Sequence, residues 1–85
     1  MDNIIEIIGF LAAICTTIAF LPQAIKVIST KTVAGLSLPM YIIFTIGVFL
    51  WFIYGLLIKN NPIIIANFIT FSLASIVLFY VIKFR

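Results

Sequence analysis

The stretch MYIIFTIGVFLWFIYGLLI, residues 40–58, contains no charged side chain. As a helix rising about 1.5 Å per residue it is about 28 Å long, nearly the thickness of a bilayer's hydrocarbon core. A turn-like link, Lys59-Asn60-Asn61-Pro62, follows it, and then a second apolar run from about Ile63 to Ile82. Upstream, a third run extends from about Ile4 to Ile28 and is interrupted by Pro22. Residues 29–39 connect it to the first and end in Pro39. Pro39 and Pro62 both stand where a helix is due to begin, and the N–H that proline lacks has no intrahelical acceptor there. The many β-branched residues would favour strands in water. In lipid, however, a sheet with open edges leaves backbone groups unpaired, and three strands cannot close a barrel. The pattern predicts a three-transmembrane-helix bundle, with helices at about 4–28, 40–58 and 63–82.

Composition leads to the same place. The chain has 85 residues, 66% of them hydrophobic and 8% charged, against roughly 45–50% and 25% in soluble domains. It is an all-α membrane protein of one domain, residues 1–85. Five Lys and Arg stand against two acids, with no basic cluster interleaved with aromatics, so nucleic acid is not a partner. Cys15 is the single cysteine and histidine is absent, which excludes an internal disulfide, a zinc site or any other metal centre. No cofactor motif is present. No Asp, Glu, His or Arg lies at depth, so no nucleophile–base pair can be assembled and the chain is not an enzyme. Its start carries Asp2 and Glu6 and no positive cluster, and the apolar run behind them is too long for a signal peptide.

Lysine and arginine accumulate on the cytoplasmic side of membrane proteins. With three crossings, Lys26, Lys31, Lys83 and Arg85 share one side and Lys59 stands on the other. The N-terminus is therefore expected outside and the C-terminus in the cytoplasm, in the inner (plasma) membrane.

Helices pack about 8–10 Å apart, and three in mutual contact leave no axial hole for an organic solute. A single chain can be an anchor, whereas a transport path needs at least a dimer. Small residues suited to close packing recur at Gly9 and Ala13, and at Ala66, Thr70 and Ala74. They serve contacts within the chain as well as between copies.

Ion-coupled transporters usually keep an ionisable group inside the membrane. Its absence here points to a neutral solute moving down its gradient. The polar groups at depth are Thr16, Thr17, Gln23, Thr45, Asn67, Thr70, Ser72 and Ser75. The Asn67 amide is costly in lipid unless paired, and it serves either an interhelical hydrogen bond or a ligand. Trp51 precedes Lys59 by about 12 Å of helix, away from the interface that membrane tryptophans prefer. It shares a stripe with Phe44, Gly47, Tyr54 and Ile58. Core filler is one reading of it. The other pairs it with Asn67: a flat ring covers the C–H face of a pyranose while an amide exchanges hydrogen bonds with the hydroxyls. At Pro22-Gln23 the proline removes the hydrogen bond to the Ile18 carbonyl, giving either a static bend or a hinge.

Taken together, these residues resemble the SemiSWEET family, bacterial sugar transporters of the PQ-loop type. The resemblance covers nearly the whole chain. It rests on Thr16-Thr17-Ile18-Ala19-Phe20-Leu21-Pro22-Gln23, on Met40-Tyr41-Ile42-Ile43-Phe44 and Gly47, on Trp51-Phe52-Ile53-Tyr54-Gly55, and on Pro62-Ile63-Ile64-Ile65-Ala66-Asn67. It implies a single SWEET-type repeat, with the third helix between the first and second. It implies as well that two copies form a parallel homodimer around one sugar-sized cavity in the bilayer. It further implies substrate contacts from Trp51 and Asn67, a hinge at Pro22 and Gln23, an outer gate at Tyr54 and a cytoplasmic gate near Met40 and Phe44. Many family members carry an Arg–Asp pair at the outer gate, where this chain has Ile58 and Asn60. The expected activity is facilitative uniport of a mono- or disaccharide by alternating access. A small non-transporting accessory subunit, or an exporter of another neutral solute, is the alternative.

Overall fold

The computed structural model describes residues 3–84; the expectations above that rest on Asp2 and Arg85 lie outside the described residues. Helix α1 runs from Asn3 to Thr30, α2 from Leu38 to Ile58 and α3 from Asn61 to Phe84. Each reaches up to two residues beyond the apolar run that foretold it, because capping groups that hydropathy does not register set the ends.

The two links use a shared grammar. Ser37 is extended (φ −93°, ψ 126°), and its hydroxyl accepts the Met40 N–H at the start of α2. The Asn60 side-chain oxygen accepts the Ile63 N–H at 3.1 Å at the start of α3. In both cases the proline sits one residue before the capped N–H, inside the first turn. At the other ends, α1 and α2 each stop on a lysine in the left-handed region, Lys31 (φ 56°) and Lys59 (φ 58°). The Asn60 N–H bonds the Gly55 carbonyl at 3.0 Å and the Lys59 N–H bonds the Leu56 carbonyl at 3.3 Å, a Schellman closure. Asn60 thus closes α2 and opens α3. A non-glycine residue at this φ costs about 1–2 kcal/mol, and an ammonium beside the electronegative helix end offsets part of it. Between α1 and α2, the Leu36 N–H returns to the Val33 carbonyl at 3.1 Å. Gly35 (φ 83°) supplies the left-handed residue of that turn.

Helix α3 lies between α1 and α2 and packs against both, while the backbones of α1 and α2 stand apart. The three helices are therefore not in the mutual contact assumed from the sequence, and one side of the bundle is open. The molecule measures 45 × 21 × 15 Å, and its length matches the about 40–45 Å of a bilayer with headgroups. Tyr41, Ala24, Val27, Val33, Val77 and Val81 form a buried core where α1 ends, α2 begins and α3 ends. At the opposite end α3 starts against two glycines: Pro62 abuts Gly9 of α1, and Ile63 abuts Gly55 of α2. The most apolar window of α1 contains no buried residue. In lipid this exposure costs nothing, since acyl chains are as apolar as leucine.

Candidate functional site

Because α1 and α2 stand apart on either side of α3, a cleft of about 550 Å³ opens across the bundle. Thr16 and Phe20 line it from α1, Phe44 and Trp51 from α2, and Asn67 and Thr70 from α3. No charged side chain lines it. Among the described residues no group of three His, Cys, Asp or Glu can hold a metal ion. The chemistry on offer is aromatic faces, hydroxyls and one carboxamide, a set suited to a neutral polar molecule with apolar faces.

Trp51 is 55% exposed, so it fills no core within the single chain. Its ring stands edge-on to that of Tyr54, 5.4 Å between centroids at 90°. One turn of α2 thereby holds both aromatics at a fixed angle. On the Tyr54 side, Gly47, Leu50, Trp51 and Tyr54 frame an adjoining hollow of about 350 Å³. Asn67 does not make the interhelical bond considered above. Its side-chain N–H donates to the Ile63 carbonyl of its own helix at 2.9 Å. That bond fixes the amide, and among the described residues its oxygen and second N–H have no partner.

The cleft continues toward both ends of the bundle. Toward Asn60 it meets a hollow of about 390 Å³ between α1 and α3, with which it shares Thr16, Ala66 and Asn67. In the other direction it meets a hollow of about 230 Å³ lined by Phe20, Gln23, Met40, Tyr41 and Phe44. The two are separated by Phe20 and Phe44, stacked 5.8 Å apart at 28°. Beneath that stack the Tyr41 hydroxyl donates to the Gln23 side-chain oxygen. This ties α1, just after Pro22, to α2. Pro22 itself lies in unbroken helix and lines none of these hollows.

The residues singled out from the sequence therefore fall into three places. Trp51 and Asn67 share the cleft, with Tyr54 beside Trp51. Gln23, Met40 and Phe44 share the smaller hollow, and Pro22 flanks it. Tyr41 was missed as a functional candidate: it is 2% exposed, and one tyrosine among many aromatics gives no sign of a partner eighteen residues away. Phe20 was missed likewise. Neither Thr16 nor Thr70 was singled out as a contact to substrate: both were visible as polar residues at depth, Thr16 also in the stretch that carries the resemblance and Thr70 in the row of small residues, one turn beyond Asn67.

The profile of the PQ loop repeat family matches residues 4–64. The chain is 47% identical over 80 residues to a protein of Leptospira biflexa serovar Patoc named "Sugar transporter SemiSWEET", covering 94% of this chain and 91% of that one. Among solved structures it matches a bacterial homologue of SWEET transporters at TM-score 0.87 and 41% identity, over 98% of this chain and 100% of that one. It also matches a SemiSWEET in the inward-open conformation at TM-score 0.90 and 40% identity, over 96% and 88% of the respective chains.

Proposed function

The chain belongs to the PQ-loop repeat family in its SemiSWEET form, and from this premise we propose that it carries a neutral sugar, a mono- or disaccharide, across the membrane as a facilitative uniporter. The observation that carries the reading is the pairing of Trp51 with Asn67 in one uncharged cleft. A tryptophan ring covers the C–H face of a pyranose, and the fixed amide exchanges hydrogen bonds with its hydroxyls. Since no ionisable side chain lines the cleft, no proton or cation is bound there by a carboxylate.

A parallel homodimer completes the site. In the single chain the cleft opens sideways, so Asn67 and Thr70 would face acyl chains, where unpaired polar groups cost several kcal/mol. A second copy facing the first encloses the two clefts as one chamber on the dimer axis. Alternating access then needs the two ends of the chamber to open in turn. Pro22 is the hinge, with Gln23 carrying the movement through its bond to Tyr41. Met40 and Phe44 narrow the end near Tyr41. Tyr54 narrows the other, where Ile58 and Asn60 offer no charge pair. Asn60 is engaged as a helix cap, so closure there rests on aromatic and apolar contact. Lys26, Lys31 and Lys83 stand at one end of the bundle and Lys59 at the other. This supports an N-terminus outside and a C-terminus in the cytoplasm.

Counterflow of radiolabelled sugars in proteoliposomes with the proton gradient collapsed tests the reading. Wild type is expected to exchange at least one sugar, and Trp51→Ala and Asn67→Ala to abolish exchange while the dimer persists. Normal transport by both variants would refute the site, and exchange by solitary chains would refute the dimer.

A further inference from the structure

Besides the Trp51 indole N–H, the cleft has three side chains with hydroxyl or amide groups, Thr16, Asn67 and Thr70, and their hydrogen-bonding capacities are not equal. The Thr16 hydroxyl donates its proton to the Ala13 carbonyl at 3.2 Å, so toward the cleft it is only an acceptor. Asn67 commits one N–H to the Ile63 carbonyl and keeps its oxygen and one N–H. Helical threonines commonly bond the carbonyl three or four residues back, and Ser72 on the exposed side of α3 does so, to Phe68 at 2.9 Å. Thr70, half-buried in the cleft wall, makes no such bond among the described residues. Its hydroxyl keeps both its proton and its lone pairs.

We infer that Thr70 is a second substrate-contacting group on α3, which together with Asn67 recognises two neighbouring hydroxyls of the sugar. This rests on the sugar reading of the cleft given above. Residues three apart on a helix lie on one face, their Cβ atoms about 5–6 Å apart. The pair therefore presents two hydrogen-bonding groups side by side, at a separation that suits adjacent ring hydroxyls approached from one side. Of the cleft's hydroxyl and amide groups, only Thr70 and the second Asn67 N–H can still donate; the Trp51 indole N–H, the other donor, belongs to α2. A hydroxyl oxygen that needs a donor on the α3 side has no other side chain to turn to. Thr70 thus sets which sugar hydroxyls are read, whereas Trp51 accepts any pyranose face.

The test compares Thr70→Val, which keeps the β-branched shape without the hydroxyl, with Thr70→Ser, which keeps the hydroxyl. D-glucose and each of its monodeoxy analogues compete for exchange of the labelled sugar in proteoliposomes. Thr70→Val is expected to weaken D-glucose competition roughly five- to tenfold, the worth of one neutral hydrogen bond, and Thr70→Ser to restore it. One deoxy analogue is expected to compete equally in wild type and Thr70→Val, because the hydroxyl that Thr70 would have met is missing. A purely structural role would weaken all the sugars alike. If Thr70→Val matches wild type for every sugar while wild type exchanges normally, Thr70 has no part in recognition. If wild type exchanges no sugar, the sugar reading fails and this inference with it.

Discussion

The two ends of the bundle are held together by opposite means. Where α1 ends, side chains meet around α3: Tyr41 reaches across to Gln23, and Ala24, Val27, Val33, Val77 and Val81 close around it. Where α3 begins, side chains are removed so that backbones can approach. A Cβ on Gly9 would lie 3.2 Å from Pro62, and one on Gly55 would lie 2.7 Å from the Ile63 Cγ2. Both means suit the solvent. Lipid supplies no hydrophobic drive between helices, so association depends on close contact and on hydrogen bonds. Glycine gives contact along a backbone, and a buried tyrosine with a partner gives a hydrogen bond. Between the two ends neither device bridges α1 and α2, and the cleft occupies the gap. Pro22 falls at the boundary, since the buried residues of α1, Ala24 and Val27, both follow it.

Substitutions at the two ends should fail in different ways. Tyr41→Ala opens a cavity and strips Gln23 of its partner, and is expected to cost about 3–5 kcal/mol, read as a lowered Tm in detergent. A loss below about 1 kcal/mol would show that this end owes little to Tyr41. Gly55→Ala forces a methyl against Ile63 and the Ile64 backbone, and should cost about 1–3 kcal/mol despite alanine's better helix propensity. Gly9→Ala, whose neighbour is further off, should cost less than Gly55→Ala; the reverse order would break the glycine account. Tyr41→Phe keeps the packing and removes only the hydrogen bond, worth about 0.6 kcal/mol by the average for such bonds in membranes. Gly47→Ala meets nothing within 4 Å in the single chain, so its Tm should hold or rise slightly. A marked fall, together with loss of dimer, would show that the partner copy packs against Gly47.

Much of this was readable from residue order alone. Apolar runs of sufficient length foretold the helices, and Pro39 and Pro62 marked two of their starts. Their ends were off by up to two residues, because Ser37 and Asn60 caps and left-handed lysines fix them. Trp51 and Asn67 could be singled out because each breaks a rule of membrane composition. The Tyr41–Gln23 bond could not, because nothing local distinguishes Tyr41 from its aromatic neighbours. The bond Asn67 makes within its own turn was likewise invisible, since an amide at depth fits an interhelical partner equally well.

The sequence by itself determined that the chain is a helical membrane protein, how many times it crosses, and which residues are too polar or too flat for plain lipid contact. Those follow from the cost of placing each group in hydrocarbon, a quantity that residue type and position settle. Only the tertiary structure decided that α3 separates α1 from α2, that the gap is a cleft shared by Trp51, Asn67 and Thr70, and which of their protons are still unspent. Those depend on where backbones can touch and which groups lie within hydrogen-bonding distance, and such distances exist only once the helices have packed.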